Sequence, residues 1–498
     1  MSTGLKRTAS VRSKARAKDV ENVFAMLLLS LPLSVEGSAK HSNGLFSKVR
    51  YPYSFALEEA VIKMKAMEVT LVNGGTTTTI SCGVTTKSAL SFLQKFMEAR
   101  LVHCPADRTR RELGNASSGV LLQPTAKGVH FLQRYCQKNG VRAHERLLLS
   151  EYNSMKCIVL ERHASSDKII QSKRFGYLLF QRFMGPRPNV YDPFGPPDTL
   201  PTNKPHNLFA EESLSLSSSS SWSFDKNHEQ VSPYSHRYFT HPDSDSLSQY
   251  YVSHSGVRVF SKRTVHGKQF EHCITGKAVV QWLIECTDMI FPQEAVDVGN
   301  LFVKYGLLTP ISDISLQHHH RLVPERDALY ILSAHNGHAI CKWPQATTTK
   351  TKPPKPMFNH GIKMKDILDD AGLRLLFREH LSRELCEENL SFYTELRKFT
   401  AKYKTSSSAN RPDLIALLYT IYNQFLAPGS PAELNLDHKL KAQLVCLLTQ
   451  QPDQIDLPKI HTVFEKAKHA VFKMMEADSL PKFISSAEFQ LGWSSLEI

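Results

Sequence analysis

Few of the chemistry-bearing side chains in this 498-residue chain stand at a spacing that would do catalysis. His318-His319-His320 offers three adjacent imidazoles to a metal, but no fixed partner is evident beside it, and we read it as a surface loop. The cysteines (Cys82, Cys104, Cys136, Cys157, Cys273, Cys286, Cys341, Cys386 and Cys446) are odd in number, widely spaced and free of any CxxC. That excludes a zinc ribbon and fits reduced thiols in a cytosolic protein. No GxxxxGK[ST], GxGxxG, HExxH or nucleophile elbow occurs. The function is therefore read in binding surfaces, and three short polar clusters stand out. They are Cys386-Glu387-Glu388-Asn389-Leu390-Ser391-Phe392-Tyr393, Glu433-Leu434-Asn435-Leu436-Asp437, and Met474-Met475-Glu476-Ala477-Asp478-Ser479 with Pro481-Lys482-Phe483. Read alone, Asn389 and Asn435 favour helix capping over recognition of a partner.

The elements that must carry these clusters follow from periodicity. Residues 360–497 show many helix patterns and almost no strand signal. Asp413–Phe425 follows Pro412, and Ile460–Met475 aligns Val463, Ala467, Ala470, Val471, Met474 and Met475. This is an all-helical bundle whose apolar stripes are packing. Upstream, residues 249–345 alternate differently. Gly276–Ile284 and Ala295–Tyr305 are amphipathic helices, the second closed by Gly306, and Gly306–Pro310 with Ala328–Leu332 reads as a two-stranded wing. Helices followed by a hairpin make a winged helix. Residues 21–145 give a second such block, with helices over Ala56–Met64 and Ser88–Met97, a loop or tight turn at Asn73-Gly74-Gly75 and on through Thr76–Thr79, and a strand at Val120–Pro124 leading into a helix through Tyr135. Residues 1–20 read as a disordered basic arm, with Lys6-Arg7-Thr8-Ala9-Ser10 a possible phosphoacceptor. Residues 146–185 are ambiguous. Residues 186–248 are a Pro- and Ser-rich linker, and 346–359 a shorter one.

Composition bounds the rest. Hydrophobic residues at 41% and charged residues at 22% exclude a wholly disordered or collagen-like chain. The apolar run Phe24–Leu33 is too short to cross a bilayer and contains Pro32; with a basic leader before it and no small-residue cleavage site, no secretory signal is expected. The net charge of +14 is uneven: residues 361–498 hold 17 basic and 18 acidic side chains, and the first 360 hold 44 and 29. Such a surplus suits nucleic acid or an anionic membrane.

The three C-terminal clusters, in their order, resemble the RGS (regulator of G-protein signalling) domain. The block at 249–345 resembles a DEP domain through Thr275–Leu283, Glu294-Ala295 and Gly299–Leu308. The block at 21–145 looks like a divergent DEP copy, mainly through Leu122–Gly128. Two DEP-like winged helices (α+β) before an all-α RGS bundle, in a multidomain, mainly α chain, are similar to fungal RGS regulators of the FlbA type. The resemblance implies a GTPase-activating protein (GAP) for the alpha subunit of a heterotrimeric G protein, with no cofactor of its own: it would act on GTP and magnesium bound to Gα. Because Gα supplies its own arginine and water-positioning glutamine, an RGS domain need only brace the switch loops. By resemblance Asn435 would reach the catalytic glutamine and a switch residue, flanked by Glu433. Asn389 and Glu388 would meet a second switch segment. Asp478, supported by Ser479, would accept from switch backbone. Lys482 stands where the family usually has arginine, keeping the charge but losing the planar fork.

The resemblance places the protein in the cytoplasm, peripherally on the plasma membrane, with its DEP half on a receptor (GPCR) tail and an anionic surface. Arg258, Lys262, Arg263 and Lys268 are the candidate contacts, though a solvated face explains them equally well. A non-catalytic Gα-binding scaffold is the alternative, motivated by Lys482. DNA binding is disfavoured, because the helix at Ala278–Glu285 has one basic residue, Lys277, at its edge.

Overall fold

The computed structural model describes residues 16–34, 37–41, 48–66, 68–73, 76–81, 84–107, 110–114, 119–139, 141, 157–163, 166–191, 256–318, 320–341, 343, 361–405, 411–430, 432–448, 450, 454–486 and 489–490. Lys6–Ser10, Gly74-Gly75, His319, the serine-rich stretch and the linker at 346–359 lie outside them.

The chain begins with helix α1 (Ala17–Ser30), which buries Val20, Phe24, Leu27 and Leu28 on one stripe. Ala17–Val20, assigned above to the basic arm, are thus the first turn of a core helix, because Ala17 and Val20 are the start of that stripe. Helix α2 (Leu57–Lys65) and helix α3 (Thr86–Glu98) complete the bundle, and Thr85 Oγ1 accepts the Ser88 amide at 3.2 Å to start α3. Phe24 meets Phe96 edge-on at 5.2 Å. The hairpin strands are β1 (Ser38–His41) with β2 (Lys48–Tyr51), and β4 (Glu68–Asn73) with β5 (Thr76–Ser81). Thr76–Thr79, expected above in a loop, are instead part of a strand, which their β-branched side chains favour. A small sheet, β3 (Phe55–Ala56), β7 (Leu121–Pro124) and β6 (Val102–His103) in that order, leads into helix α4 (Ala126–Asn139). Gly128 lets α4 lie against this sheet: a Cβ there would sit 2.1 Å from the Leu101 carbonyl.

The second winged helix is built on a five-stranded sheet of order β11-β12-β10-β9-β8: β8 (Asn189–Val190), β9 (Arg258–Val265), β10 (Lys268–Thr275), β11 (Leu308–Pro310) and β12 (Leu329–Leu332). Helices α6 (Gly276–Cys286) and α7 (Pro292–Lys304) pack on it, followed by two short helices, α8 (Asp313–Leu316) and α9 (Asn336–Cys341). Trp282 is fully buried and is a core residue. The C-terminal bundle comprises α10 (Met364–Asp369), α11 (Ala371–Arg383), α12 (Glu387–Thr405), α13 (Arg411–Ile421), α14 (His438–Leu448), α15 (Leu457–Met474) and α16 (Leu480–Ser485). Two π turns, Tyr422–Leu426 and Met475–Ser479, follow α13 and α15. Phe392, Phe399, Phe425, Phe464 and Phe483 fill its core.

The ambiguous stretch, over residues 157–184, straps the three units together. Its first half is a short hairpin in which Ile170 donates to the Glu161 carbonyl at 2.8 Å. Its second half is helix α5 (Lys173–Met184), which sends Phe180 and Phe183 into the second winged-helix core and Leu178 into the bundle core. Ridge and groove are tight: a Cβ on Gly372 of α11 would lie 2.6 Å from the Phe175 amide nitrogen of α5. Polar anchors fix the hairpin on every side. Leu160 donates to Asp288 Oδ1 at 2.9 Å, Asp167 accepts the Ala17 amide at 2.6 Å, and Arg162 forks onto Glu294, the second bond being 3.0 Å. Arg134 of α4 closes the junction by donating to Asp288 and, in a fork, to Glu21.

Lys127 is buried beneath this junction and donates to the carbonyls of Ile284 at 2.5 Å and Met289 at 2.6 Å. Burial pushes its amine down to about 8 from 10.5, against the pull of Cys157, Asp288, Glu285 and Glu294. Between those two pKa values the unfolded chain binds more protons than the folded one, so this group makes stability rise with pH across that window. We expect the urea midpoint of the wild type to gain on that of Lys127→Met as pH rises from about 8 to about 10. A constant difference between the two proteins over that range would contradict the assignment.

Candidate functional site

The three polar clusters lie on connected turns of the bundle. The first opens α12. Glu388 and Asn389 occupy its first turn, and the Asn389 amide donates back to the Cys386 carbonyl at 3.3 Å and to Glu388 at 3.2 Å. A capping side chain would accept from the helix amides; this one donates, so Asn389 does not cap α12. It is buried, while Glu388 is half-exposed, and burial raises the Glu388 carboxyl above its ordinary range. Leu385, just before, stands 88% exposed at φ +56°, an unusual place for a large apolar side chain. Motif reading passed over it, because a single leucine before a polar cluster carries no periodic signal.

The second cluster is a loop clamped by its own leucines. Leu434 and Leu436 are buried, and the Leu434 amide donates to the Phe425 carbonyl at 3.1 Å. Phe425 in turn meets Phe392 of α12 at 5.4 Å, one turn beyond Asn389. The alternation that buries the leucines sends Glu433, Asn435 and Asp437 outward. Asp437 is the cap of α14, accepting from Lys439 at 3.0 Å and Leu440 at 3.2 Å. Asn435 is left exposed, with no side-chain hydrogen bond to any described residue. Glu433 accepts the Gly429 amide and an ion pair from Lys441, which holds its carboxyl below the ordinary range. Lys441 was not singled out from the sequence; it lies eight residues away with a helix start between them.

The third cluster is the π turn after α15. Asp478 is exposed and pairs with Lys482 at 2.9 Å within its own turn. Ser479 is only 6% exposed and makes no side-chain bond to Asp478, so it is a packing position in this structure. Lys482 therefore holds Asp478 locally, and its amine is raised by that hydrogen bond. Cys386, which opens the first cluster, is raised by burial and then by the charges of Glu388, Glu384 and, from the third cluster, Asp478.

A separate basic feature lies on the second winged helix. The run expected to precede its helices is the β9–β10 hairpin itself. Lys262 pairs with Glu271 at 3.5 Å, Arg263 lies over the Phe260 ring at 3.8 Å, and Lys268 is exposed near the tip. Arg258 differs: it is half-buried at the hairpin base, in register with Asn189. Among the described residues no group of three or more His, Cys, Asp or Glu side chains could hold a metal. No described helix is long and apolar enough to cross a membrane.

A helical bundle with these clusters, behind two winged helices, is the architecture of an RGS-class protein. Residues 363–491 match the regulator of G protein signaling domain, and residues 258–332 match the DEP domain. Residues 19–150 match the fungal-differentiation regulator winged helix domain, so the first block, taken above as a divergent DEP copy, is a winged helix with a family description of its own. The chain is an RGS-domain protein homologous to the FlbA-type regulators. It is 32% identical to the developmental regulator flbA of Emericella nidulans over 95% of this chain and 63% of that one, so it spans under two thirds of that relative's length. It is 23% identical to regulator of G-protein signaling 1 of Schizosaccharomyces pombe over 78% of this chain and 72% of that one. It is 30% identical to regulator of G-protein signaling 5 of Bos taurus over 28% of this chain and 71% of that one.

The two loop residues Asn435 and Asp437 separate recognition from capping. Asp437→Ala should cost about 1 kcal/mol through the lost cap, whereas Asn435→Ala should stay within about 0.5 kcal/mol of wild type. Thermal unfolding of both variants checks this; equal losses would mean that Asn435 is structural.

Proposed function

We propose that the protein is a GTPase-activating protein for a Gα subunit and so down-regulates receptor signalling. The observation that carries this reading is Asn435: an exposed amide with no partner among the described residues, held out by two buried leucines, inside a domain of the RGS family. Such an amide has both a donor and an acceptor to offer a mobile backbone. Hydrolysis of GTP is in-line attack of water on the γ-phosphate, and its rate depends on positioning and charge stabilisation. The chain contributes no group to the phosphate. Asn435 would orient the catalytic glutamine and a switch residue, Glu388 and Asn389 would meet a second switch segment, and Asp478, kept in place by Lys482, would accept from switch backbone. Magnesium and GTP belong to Gα. Glu433 acts at one remove, by tying its loop to Lys441.

The second winged helix would place the bundle at its target. Three cations on one exposed hairpin can meet anionic lipid headgroups, each worth about 1 kcal/mol near a charged surface. A receptor tail would be a second contact of the same half, and a protein so held is cytoplasmic and peripheral to the plasma membrane. Substituting Lys262, Arg263 and Lys268 together by Glu should abolish most sedimentation with phosphatidylserine vesicles at physiological salt. Unchanged sedimentation would remove the hairpin from the membrane contact.

Single-turnover GTP hydrolysis by Gα, with and without the full chain, tests the central reading. Acceleration is expected, and Asn435→Ala should lower it at least about tenfold, the rate equivalent of 1.4 kcal/mol. Binding to transition-state-mimic Gα without acceleration would instead make the protein a scaffold.

A further inference from the structure

The bundle carries two arginines that share one carboxylate from outside it. Arg374 and Arg378 are one turn apart on α11, with side chains only 6% and 14% exposed. Two like charges at that spacing and burial repel each other. The carboxylate that meets both comes from the strap: Glu161 accepts from Arg374 Nε at 2.5 Å and from Arg378 Nη2 at 3.1 Å. Burial would raise that carboxyl, and the two guanidinium groups outweigh it, so it stays below its ordinary range.

The guanidinium of Arg378 is a rigid fork, and its other nitrogen continues inward. Arg378 Nη1 donates to Glu387 at 3.4 Å and to Ser391 Oγ at 3.2 Å. These residues bracket Glu388 and Asn389 in the first turn of α12. The order of contacts is strap carboxylate, Arg378, then the turn that carries two residues of the Gα-facing site. Arg374 is tied elsewhere, to the Leu368 carbonyl at 2.5 Å, so Arg378 is the member of the pair that couples to the site.

We propose that Glu161 is a positioning residue for the bundle's partner contact: by fixing Arg378 it sets the first turn of α12, so the working unit is the bundle together with residues 157–184. This rests on the Gα reading of the preceding subsection. Without Glu161, one edge of the Arg378 fork loses its anchor and the Arg374 charge pushes it away, which loosens the hold on Glu387 and Ser391.

The test uses the full chain and the variant Glu161→Gln, which keeps the shape and removes the charge. The concentration for half-maximal acceleration of single-turnover GTP hydrolysis should rise about fivefold or more, the range of a modest coupling between sites, with the maximal rate unchanged. Arg378→Lys, which keeps the charge and loses the fork, should give the same shift. A purely structural role would not produce the following pattern. The Glu161→Gln effect should vanish in an Asn389→Ala background and persist in full in an Asn435→Ala background, because only Asn389 lies on the turn that Arg378 holds. An unshifted half-maximal concentration, or an effect that multiplies equally with both asparagine variants, overturns the proposal. If the wild type binds transition-state-mimic Gα without accelerating turnover, the GAP reading fails alone and the same shift is read in the dissociation constant. If it does neither, both readings fall.

Discussion

A buried charge must meet an opposite one, and this requirement holds the three domains of the chain together. The Asp288 carboxylate takes the Leu160 amide of the strap and the Arg134 guanidinium of the first winged helix at the same time. Arg134 reaches on to Glu21, and the strap's own Glu161 reaches the bundle. Removing one partner from such a set leaves an uncompensated buried charge, which costs far more than the pair contributes when whole. The fold therefore depends on these residues as a set, and the apolar packing of α5 across two cores depends on the hairpin being anchored where it is.

That arrangement leaves the site on the bundle free. The strap lies on α11, while the three polar clusters occupy the α11–α12 turn, the loop before α14 and the π turn after α15. Recognition there has two ingredients. Buried leucines and phenylalanines set the backbone, and the polar side chains it carries range from the buried, internally bonded Asn389 to the exposed Asn435. Asn435 shows the division most simply: its neighbours Leu434 and Leu436 do the packing, Asp437 does the capping, and the amide stays exposed with no bond to a described residue. Lys482 shows that an arginine fork is not needed to hold Asp478, since a lysine four residues on reaches it within one turn.

The first winged helix and the second share an architecture and not a surface. The second extends its β9–β10 hairpin into solvent, with Arg263 stacked on Phe260 and cations along its length. The first turns α4 toward the junction, with Lys127 and Arg134 both committed to partners in the second domain. Like folds thus serve different ends, one joining and one facing outward.

The sequence by itself determined the elements. Periodicity placed helices of the bundle and of both winged helices, though not the first helix of the chain, and Gly306 marked one of their ends, because helix patterns and caps are local properties. It also determined the three clusters, whose residue types and order survive without any contact being known. Only the tertiary structure decided what those residues do. That Asn389 donates instead of capping, that Ser479 turns inward and that Arg258 sits at a hairpin base all depend on neighbours far along the chain. The strap was illegible for the same reason. Residues 157–184 bury their apolar side chains in two different cores, so no single period emerges. Their decisive pairs, Glu161 with Arg374 and Arg162 with Glu294, join residues more than 100 positions apart.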